Sequence, residues 1–375
     1  MQGTLNKIEN NLSSIKGKRV LLRLDLNVPI DGNTVRDDFR IQSILPTLKM
    51  IKDAGARTII LSHLESEEKV SLKRVCDYMQ SYFSITFVPS LSELKAASQS
   101  MKDGDIYMLE NLRVNDGEKA NDTEFSKKLA LCGDVYVNDA FAVSHRKHAS
   151  IVGLPKLLPS FAGPLLSREI ESLSIAFNPP HPFVFILAGA KFETKLPLVM
   201  KFIGLADHVV LAGALANDIY REKGYEVGIS TVSAPRTDIG KIAANPKVFV
   251  PRDVVVETPQ GVVTKGADEV LADECIVDSG ASSVAGVADI ISNAKLVLWN
   301  GPLGNYEKGF SQGTKDMAKE IVECGAKSVV GGGDTVAAIR SLGLLDSFSF
   351  VSTGGGAMLD FLVQGTLPGI EALKN

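Results

Sequence analysis

"VVGGGDTVAAI", residues 329–339, sets three glycines and an aspartate between a β-branched pair and a stretch with helical spacing. Val329 and Val330 end "SVV", which reads as the close of a buried strand. Asp334 and Thr335 then open "VAAIRSLG", which stops at Gly343. A strand, a glycine turn and a helix start form an anion site, because glycines let backbone N–H groups approach a ligand and the helix dipole favours negative charge there. No Gly-Lys-Ser/Thr follows, so this is not a P-loop. Taken alone, the stretch fits either a phosphate cradle or a plain βα turn capped by Asp334.

Working outward, the same alternation fills the chain. "RVLLRL" (19–24), "RTIILS" (57–62), "SITFVP" (84–89), "IYMLE" (106–110) and "DVYVND" (134–139) read as strands. "FVFILA" (183–188), "HVVLAG" (208–213), "KVFVP" (247–251), "LVLWN" (296–300), "SVVGG" (328–332) and "FSFVS" (348–352) continue the series. Amphipathic stretches such as "SILPTLKMIKDAG", "SREIESLSIAF" and "GTKDMAKEIVECG" lie between them. Strand–helix alternation predicts parallel sheets with helices on both faces. About eleven strands exceed what one open sheet usually carries, so two doubly wound sheets are expected. At 375 residues, two domains are the default. "VGLPKLLPSFAGP", near residue 160, is the best boundary, with a polar-faced helix starting at Leu166.

Composition narrows the function. A net charge of -4 argues against general nucleic-acid or membrane-surface binding. No apolar run is long enough to span a bilayer, and the N-terminus lacks a signal-peptide core. The 4 cysteines, Cys76, Cys132, Cys275 and Cys324, lie far apart and fit reduced thiols in a cytoplasmic protein. With 5 histidines, a His/Cys metal centre is disfavoured.

In open parallel sheets, ligands bind beyond the C-terminal ends of the strands. The later strands end in "AGAKFETK" (Gly189, Lys191, Lys195), "AGALAN" (Gly213, Asn217) and "NGPLGNYE" (Asn300, Pro302, Gly304, Glu307). "GGGDT" and "STGGGAM" complete the set. Glycine at so many strand ends makes "GGGDT" one wall of a nucleotide–phosphate site. The earlier strands end in Asp25 and Asn27, His63, Asn111 and Arg113, and Asp139 with His145, Arg146 and His148, while Arg40 follows in "DDFRI". Each arginine alone fits a surface ion pair of little consequence. The set fits a small anion.

A phosphate cradle and an anion site together point to phosphoryl transfer, which needs positioning and charge neutralisation more than covalent chemistry. Asp334 is the candidate to hold Mg²⁺ through nucleotide phosphates. Arg40, Lys191 and the helix start at "TGGGAM" are the candidates to neutralise the transferring group. No H-R-D catalytic loop with a downstream Asn is present. That fits a carboxylate acceptor, which with a pKa near ~4 is already ionised at neutral pH and needs no general base. A dehydrogenase is disfavoured because no G-x-G-x-x-G follows the first strand.

These residues resemble the phosphoglycerate kinase family along nearly the whole chain. The matching stretches are "RLDLNVPIDGNTVRDDFRI", "SHL", "LENLR", "GDVYVNDAFAVSHRKHAS", "GAK…K", "WNGPLGNYE", "VVGGGDT" and "STGGGAMLDFL…LPGIEAL". The resemblance implies two doubly wound, Rossmann-like parallel-sheet domains joined by a hinge helix, closing about that hinge. It implies an acceptor domain over 1–162, a nucleotide domain over 163–356 and a segment, 357–375, returning to the first domain. It also implies transfer between ATP and 3-phosphoglycerate with Mg²⁺, in glycolysis and gluconeogenesis, by a cytoplasmic monomer binding neither nucleic acid nor membrane.

Carried over by motif, Asp25, Asn27, Arg40, His63, Arg113 and Arg146 would bind phosphoglycerate. Gly189, Lys191, Lys195, Gly213, Asn300, Pro302, Gly304, Glu307, Gly332, Gly333, Asp334 and Thr335 would surround the nucleotide. Arg40 and Lys191 would flank the transferring phosphoryl group, and Gly354, Gly355 and Gly356 would supply backbone donors. The chain departs from the family at "SHLESEEKV", where Glu65 and Ser66 stand in place of a Gly-Arg pair. Lys69 and Lys73 are the candidates to compensate. Ala188, Ala212 and Ala214 replace glycines, and Tyr306 stands where phenylalanine is common. An altered acceptor, or a nucleotide-binding homologue without catalysis, are the alternative readings.

Overall fold

The computed structural model describes residues 5–32, 34–65, 71–190, 192–234 and 238–374. It divides into two compact units, Met1–Glu171 with Thr366–Asn375, and Ser172–Gly365. The division falls inside helix Pro164–Ser174.

The first unit is built on a sheet of β1 (Arg19–Arg23), β2 (Arg57–Leu61), β3 (Thr86–Val88), β4 (Ile106–Leu109), β5 (Val135–Asn138) and β6 (Ser160–Ala162). All pairings are parallel, in the order β3-β4-β2-β1-β5-β6. Strands covered on both faces carry continuous apolar runs. Val20 and Leu22 of β1 and Ile60 of β2 therefore pack with Ile41, Ile44 and Leu48 of α1 (Phe39–Asp53). The chain's last residues belong to this unit. The Gly369 N–H donates to the Ser144 carbonyl at 2.8 Å, and a Cβ at Gly369 would meet Ile151 Cγ2 at 2.8 Å, so the segment docks against a wall that excludes larger residues.

The second unit has β7 (Phe183–Leu187), β8 (His208–Leu211), β9 (Val248–Phe249), then β10 (Asp253–Thr258), β11 (Gly261–Gly266) and β12 (Cys275–Ser279). β13 (Leu296–Asn300), β14 (Lys327–Gly331) and β15 (Phe350–Val351) follow. Its main sheet is parallel, ordered β9-β8-β7-β13-β14-β15. Trp299, with Val184, Ile186 and Val330, forms the centre of its core. β11-β10-β12 form a separate antiparallel sheet, which the sequence reading did not separate from the connection after β9. β6 lies inside the proline-rich stretch near residue 160 expected as the domain boundary.

Both parallel sheets reverse winding at one point, and ligands bind beyond the strand ends there. In the second unit the point lies between β7 and β13, which end at Leu187 and Asn300. In the first it lies between β1 and β5, which end at Arg23 and Asn138. The four cysteines are free thiols.

Candidate active site

At the reversal point of the second unit lies a pocket of about 440 Å³. Gly189, Lys195, Gly213, Asn300, Pro302, Gly304, Glu307, Gly332, Gly333 and Asp334 line it. Thr335 sits just behind, fully buried, with a hydroxyl that finds no hydrogen-bond partner among the described residues. Lys191 lies outside the described residues.

Three helix N-termini converge on this pocket. α2 (Ala214–Glu222) starts after Gly213, α3 (Gly333–Ser341) after Gly332, and α4 (Gly355–Gln364) after Gly354. Gly332, not Asp334, holds the cap position of α3, at φ 105, so Asp334 lies in the helix's first turn. Gly213 also has positive φ, and a Cβ there would stand 2.7 Å from the Gly189 N–H nitrogen. Only glycine permits that approach. Gly355 lines the pocket, and a Cβ at Gly355 or Gly356 would meet open space, so the first turn of α4 is accessible to a ligand. Unpaired first-turn N–H groups and helix dipoles from three directions make a strong anion cradle.

Lys195 supplies the charge. Its ammonium donates to the Ala188 carbonyl, and no carboxylate pairs with it among the described residues. Burial pushes its pKa down to about 8. A phosphate in the cradle would restore the missing counter-charge. Asp334, at the rim, is crowded: desolvation first, then the charge of Glu307, hold its carboxyl above the ordinary range. Two acids at one end of a phosphate site repel each other unless a cation intervenes. Among the described residues no cluster of three or more acidic, His or Cys side chains could cage a metal. These residues therefore fit a Mg²⁺ ion held by one carboxylate and by the nucleotide's own phosphates.

The apolar wall of the pocket, including Tyr220, Val254, Ile276 and Leu359, escaped the sequence reading. Their signal was only that of ordinary core residues. Ala188 and Ala212 are fully buried on the strand ends, while Ala214 faces the pocket.

In the first unit the strand ends gather polar groups. Arg40, near the start of α1, reaches Asp25 at 3.1 Å and donates to the Asn27 carbonyl at 2.7 Å. The Asn27 side-chain carbonyl accepts from the Glu65 N–H at 2.9 Å, and Ser62 ties β2 to the end of β1 by accepting from the Leu26 N–H at 3.0 Å. His63 is 1% exposed. Its Nδ1 lies 3.3 Å from a guanidinium nitrogen of Arg23. Arginine only donates, so Nδ1 accepts and the proton sits on Nε2. Burial, then the charges of Arg23, Arg113 and Arg40, hold the imidazole pKa well below its ordinary value. His63 is thus a neutral donor.

Arg23, which the sequence reading left among strand residues, is fully buried and organises this site. Its Nε donates to Ser150 Oγ at 2.9 Å, and Ser150 donates to Glu118 at 2.6 Å. Glu118 offsets the buried guanidinium, which leaves its other arm for His63. Asn111 fixes the next pair: its amide donates to the Leu64 carbonyl at 2.8 Å and its carbonyl accepts from the Arg113 N–H at 3.0 Å. Arg113 forms an ion pair with Glu65 at 2.7 Å. Arg146 is exposed and adds positive potential at Glu65 and His148. Ser66 and Lys69 lie outside the described residues, and Lys73 pairs with Asp77.

Two doubly wound units, one ending in converging helix starts suited to an anion and the other in an arginine–histidine cluster, fit an α/β phosphotransferase. The chain belongs to the phosphoglycerate kinase family: that family's model matches residues 10–365. Phosphoglycerate kinase of Orientia tsutsugamushi (strain Ikeda) is 40% identical over 388 positions, covering 96% of this chain and 95% of that protein. The enzyme of Haemophilus influenzae (strain PittGG) is 40% identical over 375 positions, with 96% of each chain covered. The structure of phosphoglycerate kinase from Coxiella burnetii aligns at TM-score 0.83 and 34% identity, over 99% of this chain and 98% of that one. The Pyrococcus horikoshii OT3 enzyme aligns at TM-score 0.88 and 28% identity, over 98% of both. No helix among the described residues is long and apolar enough to cross a membrane.

Proposed function

We propose that the second unit binds Mg-ATP, that the first binds 3-phosphoglycerate, and that the carboxylate of the acid takes the γ-phosphoryl group. A P–O bond forms to a carboxylate oxygen, and the bond to the β-bridging oxygen breaks, giving 1,3-bisphosphoglycerate and ADP. The observation that carries this reading is Lys195, a half-buried lysine with no carboxylate partner among the described residues, set among three helix N-termini that face one pocket.

Each group then has a task. Lys195, Gly213 and the Gly332–Thr335 turn hold the phosphate chain, and the apolar wall around Leu359 takes the base. Asp334 holds Mg²⁺, which supplies charge neutralisation to the phosphates. Asp25, Asn27, His63, Arg113 and Arg146 orient the acid, with neutral His63 donating from Nε2. Arg40, Lys191 and the amides of Gly354, Gly355 and Gly356 stabilise charge on the transferring group. No general base is needed, because the nucleophile is already ionised. An assay with 3-phosphoglycerate and Mg-ATP, coupled to reduction of the acyl phosphate, tests this directly. ATP-dependent turnover is expected, and none with either substrate alone. Absence of turnover with both present refutes the reading.

A further inference from the structure

In the first unit's site Arg113, like Arg40 with Asp25, already has an anion. Its guanidinium side chain is only 9% exposed, and its ion pair to Glu65 spans 2.7 Å. The contact is built, not incidental, because both partners are held from their backbones. Asn27 accepts from the Glu65 N–H, and Asn111 bridges the Leu64 carbonyl and the Arg113 N–H. Glu65 follows directly on buried His63 and Leu64, and the cations acting on its exposed carboxylate are Arg113 first, then Lys119 and Arg146. The Arg113 guanidinium beside it holds the Glu65 carboxyl below its ordinary range, so the anion is present at neutral pH.

We propose that Glu65 is an intramolecular competitor for the acceptor site, occupying Arg113 with a tethered carboxylate that an anionic acceptor must displace. The inference rests on the reading of Arg113 as an acceptor-binding cation. Its consequence is a common penalty on acceptor binding. Any anion that needs Arg113 must first displace the Glu65 carboxylate, so its apparent affinity falls by the fraction of molecules in which the pair is open. Glu65 is 64% exposed at its side chain, so the variant Glu65→Gln removes the charge without opening the core.

The test is titration calorimetry of 3-phosphoglycerate, with inorganic phosphate as a minimal probe, alongside the coupled assay. Wild type, Glu65→Gln, Arg113→Ala and the double variant are compared. Glu65→Gln should bind 3-phosphoglycerate about 1.5-fold to fivefold tighter, the range of an ion pair with one exposed partner. The acceptor KM should fall in parallel and the ATP KM stay fixed. In the Arg113→Ala background the same change should bring no gain. Turnover by wild type with unchanged or weaker binding by Glu65→Gln overturns the inference alone. A gain that persists without Arg113 also overturns it. Failure of every variant to bind or phosphorylate 3-phosphoglycerate overturns both this inference and the reading beneath it.

Discussion

Lys195 couples folding, pH and ligand binding in one side chain. Its pKa is about 8 in the folded protein against the ordinary 10.5. The unfolded chain therefore holds more protons between these values, and stability rises with pH across that window. Below about 8 the lysine is charged in both states, and the burial cost is fully present. A nucleotide phosphate relieves that cost and raises the pKa again. Mg-ATP binding should thus take up a proton at pH 9 and not at pH 7, read by calorimetry in buffers of different ionisation enthalpy. Lys195→Met should abolish the uptake and weaken nucleotide binding about tenfold to a hundredfold, the worth of a charge-assisted contact. Equal heats in both buffers at pH 9 would contradict this. Asp334 has the opposite sign. Its carboxyl is held up by desolvation and by Glu307, so a cation relieves it and a bare phosphate worsens it. Asp334→Asn should weaken Mg-ADP about tenfold, ~1.4 kcal/mol, yet leave metal-free ADP bound at least as tightly. A parallel loss in the presence of EDTA would remove the metal role.

At the scale of elements, the site is a meeting of strand ends and helix starts, and its geometry depends on glycine backbone. Gly213 has φ 60 and ψ -149, a region that side chains avoid at a cost of about 1–3 kcal/mol. A Cβ would also press on the Gly189 nitrogen at 2.7 Å. Gly213→Ala should lower Tm by several degrees and lower nucleotide affinity with it. Gly204→Ala, in the helix Phe192–Leu205 with open space around it, is the control and should be neutral or slightly stabilising. If both variants melt alike, the close approach at Gly213 has no energetic weight. The glycine turns were legible in the sequence because strand-end glycines have a backbone signature. So was the alternation that builds both parallel sheets. β10–β12 were not, because "DVVVETPQGVVTKG" sits inside what alternation treats as one long connection. Arg23 was not, because its partners Ser150, Glu118 and His63 are distant in sequence and only the fold joins them. The "SHLESEEKV" departure was legible as a change of charge, but not that Glu65 is aimed at Arg113.

At the scale of the whole molecule, each unit has its own buried core, and each proposed ligand set lies within one unit. A ligand stabilises only the cooperative body that binds it, by RT ln(1 + [L]/Kd), about 2.7 kcal/mol at a hundredfold excess over Kd. Amide exchange reports that stabilisation locally, as about a hundredfold slowing for groups that exchange by opening of that body. Mg-ADP should therefore slow exchange at Gly189, Gly213 and Gly332–Thr335, and through the strands β7, β13 and β14 that carry them. Exchange across β1 and β2 should stay near its ligand-free rate. 3-Phosphoglycerate should do the reverse, slowing Leu24–Asn27, His63–Glu65 and Asn111–Arg113 and leaving the second unit's turns unchanged. The segment Thr366–Lys374 provides an independent reading, because it belongs to the first unit although it follows the second in the chain. Its amides should respond to 3-phosphoglycerate and not to Mg-ADP. Protection by 3-phosphoglycerate at Gly189 or Gly332 without any at His63 would reverse the assignment of ligands to units. Equal protection of both units by each ligand alone would mean that they unfold as one body, and that the two binding sites share a single stability.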